Sequence, residues 1–510
     1  MDWIKFNKLF CLLYEILDMF QNFGEYYNIL SETDQIKLDR FFRRLWTKIN
    51  SSILRKQMKN DYEKSFLYFS DKISLDESIE RLNPDSLWNF YTNAPKVWFP
   101  LDTVAKIYPL SMHNKWMSMF RLSFYMDEDI VPELLQIALS TTIKRFPYFS
   151  TTIKKWFFWH YLDTIQTRFA IEQENTYLCE TMNISTNSSK LFRVMYWKNR
   201  ISVEFFHILT DWYGWLEFLK ALVAEYLRLL WHDIWKNSLI KDISETPHAN
   251  EMKNDYKKAE KQKNVKWYKD EKALKIVWKT GNVIPTEVIH IDMECDQIKR
   301  YAKKLWVSVT SLMLWYIVVA TAKSTKWSKW NIQIQVPVNM RQFYDSETLV
   351  NFSLYMLIKV KKENIWDFDT LVHDIHKQVK LKATKENLNE KMCYANKAEK
   401  KIRFLPLFIK KYLVRAIFRF IWNNTISNTL TNIGIVELPP EMWKHILKAD
   451  ACLWPQVNRR ISCAMVSCSG TTTLTITKTI TNKQFEKSII DQLEKDGIEF
   501  KLYWATQYWK

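Results

Sequence analysis

His207 and Asp211 stand in the segment F-F-H-I-L-T-D, a titratable ring and a carboxylate separated by three residues. An imidazole has an unperturbed pKa of about 6.5, so it takes up a proton near neutral pH and gives it back, which is what general base catalysis requires. Asp211 has two uses open to it: orienting the ring, or fixing the chain by pairing with a cation elsewhere. A histidine near an aspartate is by itself more often structural than catalytic, so the weight falls on what positions the pair.

The flanking residues define that support. Ile201, Val203 and Phe205 alternate with Ser202 and Glu204, the period of a half-buried strand. Trp215, Leu219, Leu222, Tyr226 and Leu229 recur at the spacing of one helical face. Lys198-Asn199-Arg200 separates two strand-like runs, 191–196 and 201–206, and predicts a hairpin that delivers His207. His207 and Asp211 therefore fall on a strand-to-helix connection, where a rigid scaffold holds functional groups.

This stretch resembles the HHxxxDG motif of the chloramphenicol acetyltransferase-like superfamily, which includes condensation domains, HxxxD acyltransferases and alcohol O-acetyltransferases. The bacterial alcohol O-acetyltransferase-like proteins are the nearest resemblance. Phe206 stands where the first histidine would be, and Trp212 where the motif has glycine. Other segments follow in the family's order: FPLDTVAKIYPLSM, the strand MFRLSFYM, and the helix PELLQIALSTTIKRFPYF. V-P-V-N-M-R at 336–341 resembles the family's V-P-V-N-x-R, which implies Asn339 and an Arg341 paired with Asp211 across two halves. T-L-T-N-I-G at 429–434 resembles T-L-S-N-[LI]-G, implying that Thr431 and Asn432 lie near the active site and donate hydrogen bonds to a tetrahedral intermediate.

The resemblance implies an α/β fold of two subdomains, each a mixed sheet with flanking helices, preceded by a helical N-terminal extension. It divides the chain into the extension 1–85, a subdomain 86–240 carrying the HxxxD motif, a charged linker 241–275 and a subdomain 276–510. The implied activity is O-acyl transfer: His207 deprotonates an alcohol, which attacks the acyl group (acetyl foremost) of an acyl-CoA thioester. Acyl-CoA enters as co-substrate and no cofactor is bound. A carrier-dependent condensation enzyme, partnered by an acyl carrier protein, and a catalytically silent binding protein of the same fold are the alternatives.

Bulk properties set limits on the rest. With 510 residues, 47% of them hydrophobic, the chain exceeds one ordinary domain and has ample material for packed cores. The net charge of +18 raises nucleic acid as a partner, yet the lysines are dispersed and no zinc-finger, RRM or KH signature accompanies them. We expect no nucleic-acid binding; a positive surface suits coenzyme A phosphates or an acidic carrier equally well. Seven cysteines, odd in number and without a CxxC pair, predict reduced thiols and a cytoplasmic protein. The uncharged run 305–322 predicts a buried helix, and the N-terminal LFCLLYEILDMF lacks the cleavage site of a signal peptide.

Within the extension, Phe6, Leu9, Phe10, Leu13, Ile16 and Leu17 form one apolar face. The basic run 40–59 interleaves Phe41, Phe42, Leu45, Ile49 and Ile53. Both suit either a helical cap or a peripheral membrane contact. His373 and His376 lie on a charged helix with no further ligand nearby, so no metal site is expected. The apolar and basic stretch 405–422 suits a channel-side helix or a core helix with snorkelling lysines.

The composition holds one anomaly. Glycine averages about 7% in proteins, which would give roughly 35 here, but the chain has 6 glycines and 24 tryptophans. Trp156, Trp212, Trp215, Trp231, Trp306 and Trp454 all occupy places where turn logic or the family pattern calls for glycine. UGA codons that mean glycine in the source, translated as tryptophan, would produce this pattern.

Overall fold

A computed structural model describes residues 22–504 apart from 89, 94–96, 113–116, 175–177, 185, 187–188, 263–270, 282–284, 326–329, 366, 421–423 and 455–459. The apolar face over Phe6 to Leu17 lies outside the described residues. In the first half the strands are β1 (Trp98–Pro100), β2 (Met119–Met126), β3 (Thr151–Lys155), β4 (His160–Thr164), β5 (Ile171–Gln173), β6 (Phe192–Trp197) and β7 (Arg200–Phe206). The second half adds β8 (Glu287–Glu294), β9 (Ile332–Asn339), β10 (Ser353–Val360), β11 (Asn428–Ile435), β12 (Ile446–Leu453), β13 (Ile461–Cys468), β14 (Thr471–Lys478) and β15 (Phe500–Trp504).

These strands build two lobes. The first holds a sheet ordered β12-β2-β7-β6-β5, and the second a sheet ordered β10-β9-β11-β13-β14-β8-β15; β1, β4 and β3 form a small third sheet. Both large sheets are mixed. β5 runs parallel to β6, and β11 runs parallel to both β9 and β13, while the other pairings are antiparallel. The helices Pro132–Thr142 and Trp212–Leu229 pack together in the first core, and Val309–Lys323 is buried in the second with Gln484–Lys495 against it. Among the described residues no single helix is long and apolar enough to cross a membrane.

Three features depart from a reading by segments. β12, which lies in sequence within 276–510, pairs with β2 in the first lobe, from Ile446↔Met126 to Leu453↔Phe120. β2 is buried along its whole length, so without β12 one edge would carry unpaired backbone groups in the interior. The polar 241–275 segment is partly core: Glu251, Asp255 and Tyr256 are buried. Arg145 donates to Glu251 at 2.6 and 2.8 Å, and Tyr256 Oη donates to Ser353 O at 2.6 Å, so the segment ties both lobes. In the extension, Phe41, Phe42, Leu45 and Ile49 are buried in the first lobe's core, whereas Ile53 is exposed.

Helix ends bear on the tryptophan anomaly. The helix Gln484–Lys495 finishes with Gly497 at φ +67, its successor Ile498 donating back to Leu493 O at 2.9 Å. This is the left-handed helix stop for which glycine is preferred. Cys295–Lys304 ends the same way on Trp306 (φ 57), with Val307 N donating to Ala302 O at 3.0 Å. Trp212–Leu229 ends the same way on Trp231 (φ 77), with His232 N donating to Leu227 O at 3.1 Å. Trp88, at φ 52 and ψ −143, occupies a region that is close to glycine-only. Trp156, Trp212, Trp215 and Trp454 do not have positive φ.

Candidate active site

β7 ends at Phe206, and His207 N donates to Ser118 O at 2.8 Å as the chain leaves the sheet. The His207 ring stacks on Tyr108, centroids 4.6 Å apart and planes 20° apart, and meets Phe120 edge-on at 4.7 Å. Nδ1 lies 2.9 Å from Thr210 O. A carbonyl oxygen only accepts, so Nδ1 carries the proton and Nε2 presents its lone pair. Burial outweighs the nearby Asp211 charge and holds the His207 pKa below its ordinary 6.5, so the ring is neutral at pH 7. A neutral imidazole with a free Nε2 can accept a proton, which is what general base catalysis requires.

Asp211 does not touch the ring. It is the N-cap of Trp212–Leu229, with Oδ1 accepting from Tyr213 N at 3.2 Å. Oδ2 accepts from Arg341 Nη1 at 2.9 Å and from Phe352 N at 2.8 Å, both from the second lobe. Arg341 is engaged on every side. Nε donates to Thr348 O at 2.7 Å, Nη2 to Val350 O at 2.6 Å, and Nη1 also to Asn339 Oδ1 at 3.1 Å. Asn339, at the end of β9, additionally accepts from Arg341 N at 3.1 Å. Of the two uses open to Asp211, the geometry selects the second: a buried ion pair that locks the His207 connection to the other lobe. Gly214 permits the close approach, because a Cβ there would collide with the Leu349 carbonyl and Thr210 Oγ1.

Thr431 and Asn432 sit on β11, apart from this constellation in their bonding. Asn432 Nδ2 donates to Thr310 Oγ1 at 2.8 Å, and its Oδ1 accepts from Gly434 N at 2.9 Å beside a bulge in the β11–β13 ladder. Neither residue hydrogen-bonds the His207 connection. His376 is likewise engaged, its Nδ1 lying 3.0 Å from Ser311 Oγ. Among the described residues no group of three or more His, Cys, Asp or Glu comes together as a metal site would require. Trp212 is partly buried at the first helical position and leaves the Asp211 bonds intact. Trp215 packs edge-on against Phe120 at 4.4 Å with its indole N–H buried and unpartnered, an unusual state for a tryptophan.

Two further residues brace the histidine. Asn351 Nδ2 donates to His207 O at 3.1 Å and to Asp102 Oδ2 at 3.0 Å, while Asp102 Oδ1 accepts from Val104 N at 2.9 Å and Ala105 N at 2.8 Å. Burial pushes the Asp102 pKa up to about 6, against the pull of these donors. The sequence carries a local trace of Asp102, an aspartate ahead of V-A whose N–H groups it caps. Asn351 has no local signature, since its partners are remote in the chain.

No family model matches the sequence, and no curated protein matches it. Solved structures do. TRI101 of F. sporotrichioides, complexed with coenzyme A and T-2, aligns with a TM-score of 0.55 at 10% identity, over 80% of this chain and 99% of that one. TRI3 trichothecene 15-O-acetyltransferase from Fusarium sporotrichioides aligns with a TM-score of 0.51 at 12% identity, over 78% and 95%. A starter condensation domain of rhizomide synthetase, in complex with C8-CoA, aligns with a TM-score of 0.52 at 10% identity, over 79% and 98%. The chain therefore shares the two-lobed fold of these acetyltransferase and condensation-domain structures.

Proposed function

We propose that the chain is an acyltransferase that moves an acyl group, acetyl foremost, from a coenzyme A thioester to an alcohol, with His207 Nε2 as general base. The observation that carries this reading is the Nδ1–H donation to Thr210 O, which commits the other ring nitrogen to accepting a proton. In the proposed step Nε2 takes the hydroxyl proton as the oxygen attacks the acyl carbon. The imidazolium then returns that proton to the departing thiolate sulfur, so no covalent enzyme intermediate is needed. Asp211 and Arg341 are positioning residues that hold the connection, and Asp102 and Asn351 brace it from the other side.

The test is thiol release from acetyl-CoA and longer acyl-CoAs with a panel of alcohols, native protein against His207→Ala. Alcohol-dependent release that falls by about 10²–10⁴ in the variant supports the reading. Equal turnover in both proteins overturns the assignment of His207. Silence from folded protein with every free CoA ester moves the weight to a carrier-bound donor or to a binding protein.

A further inference from the structure

The helix Leu407–Phe420 has its apolar side turned outward. Phe408 is 64% exposed and Tyr412 74%, one turn apart, and Ile409, Leu413 and Ile417 stand exposed beside them. Phe404, just before the helix, is 75% exposed. The tip of the β3–β4 hairpin extends the same surface: Leu407 N donates to Phe157 O at 2.9 Å, and the Phe158 and Phe404 rings lie 6.3 Å apart. Phe157 and Trp156 are exposed at that tip. Monomeric soluble proteins seldom leave so many large apolar side chains together in water.

Cations frame these side chains. On the helix Lys411 is exposed and Arg415 half-buried, whereas Lys410 is buried and turns inward to donate to Phe158 O at 2.7 Å. Lys154 and Lys155 come from the hairpin, and Arg403 precedes the helix. Lys411 has its pKa lowered by burial and then by Arg415 and Lys155, which places the three in one like-charged group. A second copy of this chain meeting the face across a two-fold axis would set these cations against themselves.

We propose that the helix Leu407–Phe420 and the β3–β4 hairpin tip form a docking face for an anionic lipid bilayer. Apolar side chains immersed at the headgroup boundary, with cations beside them reaching lipid phosphates, match the chemistry of an interfacial helix. The face adjoins the candidate active site: the helix packs on the turn Tyr108–Ser111, Arg415 donates to Met112 O, and Tyr108 is the ring stacked on His207. Docking itself does not depend on acyl transfer and is read without substrates.

Flotation of the full chain with vesicles of phosphatidylcholine alone, or of phosphatidylcholine with phosphatidylglycerol, tests the proposal. Co-flotation is expected with the anionic vesicles, weakening at about 1 M salt, where the Debye length is about 3 Å. Lys411→Glu with Lys155→Glu should reduce partitioning by more than tenfold, because each cation contributes about fivefold. Phe408→Ser with Tyr412→Ser and Leu413→Ser should abolish it; an unchanged melting temperature shows that the variant is folded. Absence of flotation with anionic vesicles overturns the proposal, whether light scattering finds a dimer on this face or residues 1–21 cover it. Flotation that survives both variants overturns it as well.

Discussion

At the residue scale, the His207 ring has its role set by what its other nitrogen and its surroundings do. Burial lowers its pKa below 6.5, so the folded protein binds this proton less readily than the unfolded chain does. If His207 is the base as proposed, it is in its working form at and above neutrality, and kcat/KM should fall only on an acid limb with its midpoint below pH 6.5. A midpoint above 6.5 in the measured profile would contradict the burial of this ring. Arg341 makes a second prediction. Its side chain is 6% exposed and that of Asp211 is 1% exposed, so Arg341→Ala strands a carboxylate in the interior. The expected loss is about 3–5 kcal/mol in urea unfolding, with Arg341→Lys intermediate because an ammonium cannot reproduce the guanidinium's spread of bonds. A loss of activity at undiminished stability would instead make Arg341 a group that acts on substrate.

At the scale of elements, the helix ends decide what the tryptophans mean. Gly497, Trp231 and Trp306 terminate three helices by the same left-handed turn. A side chain in that conformation costs about 1–2 kcal/mol, and nothing in the identity of a tryptophan offsets this at Trp306, which is 86% exposed. Trp306→Gly should therefore raise the unfolding free energy by about 1 kcal/mol. Trp231→Gly should gain less, since that ring packs on Phe69 at 5.6 Å and under Arg81 at 3.9 Å. The codons provide the independent check: UGA at Trp88, Trp231 and Trp306 agrees with glycine in the native protein, and UGG at all three sinks the idea. The strand-to-helix connection around His207 and the hairpin before it were legible because local alternation and helical spacing encode them. β12 was not, because its alternation means little until β2 offers an open edge.

At the scale of the molecule, the lobes are held in register around His207 by side chains that cross between them. Asn351 is one of these ties, serving a backbone carbonyl of the connection and a buried carboxylate at once. Asn351→Ala should cost about 1–3 kcal/mol, the penalty of leaving those acceptors unsatisfied, and should lower kcat/KM with it. Asn351→Asp should be worse, because it turns two donated bonds into repulsion against Asp102 and His207 O. The Asp102 pKa of about 6 gives that comparison a sign. Protonation below pH 6 relieves the clash, so the gap between the two variants should narrow in urea titrations at pH 5 relative to pH 8. A gap independent of pH would show that Asp102 does not face Asn351.

By itself, the sequence determined the elements and the chemistry they can hold: a strand leading to His207, a helix following Asp211, and a second half carrying Asn339 and Arg341 at a strand end. These follow from short-range periodicity and residue type, which the chain writes locally. The tertiary structure decided which partner each group takes. Asp211 takes the Arg341 partner that the family resemblance implied and leaves the ring alone, Thr210 O fixes the tautomer, Asn432 turns to Thr310, and Asn351 reaches Asp102. Each of these, apart from the Thr210 contact, joins residues more than 100 positions apart. Such contacts are made by the docking of two lobes and the register of their sheets, quantities that no local pattern contains.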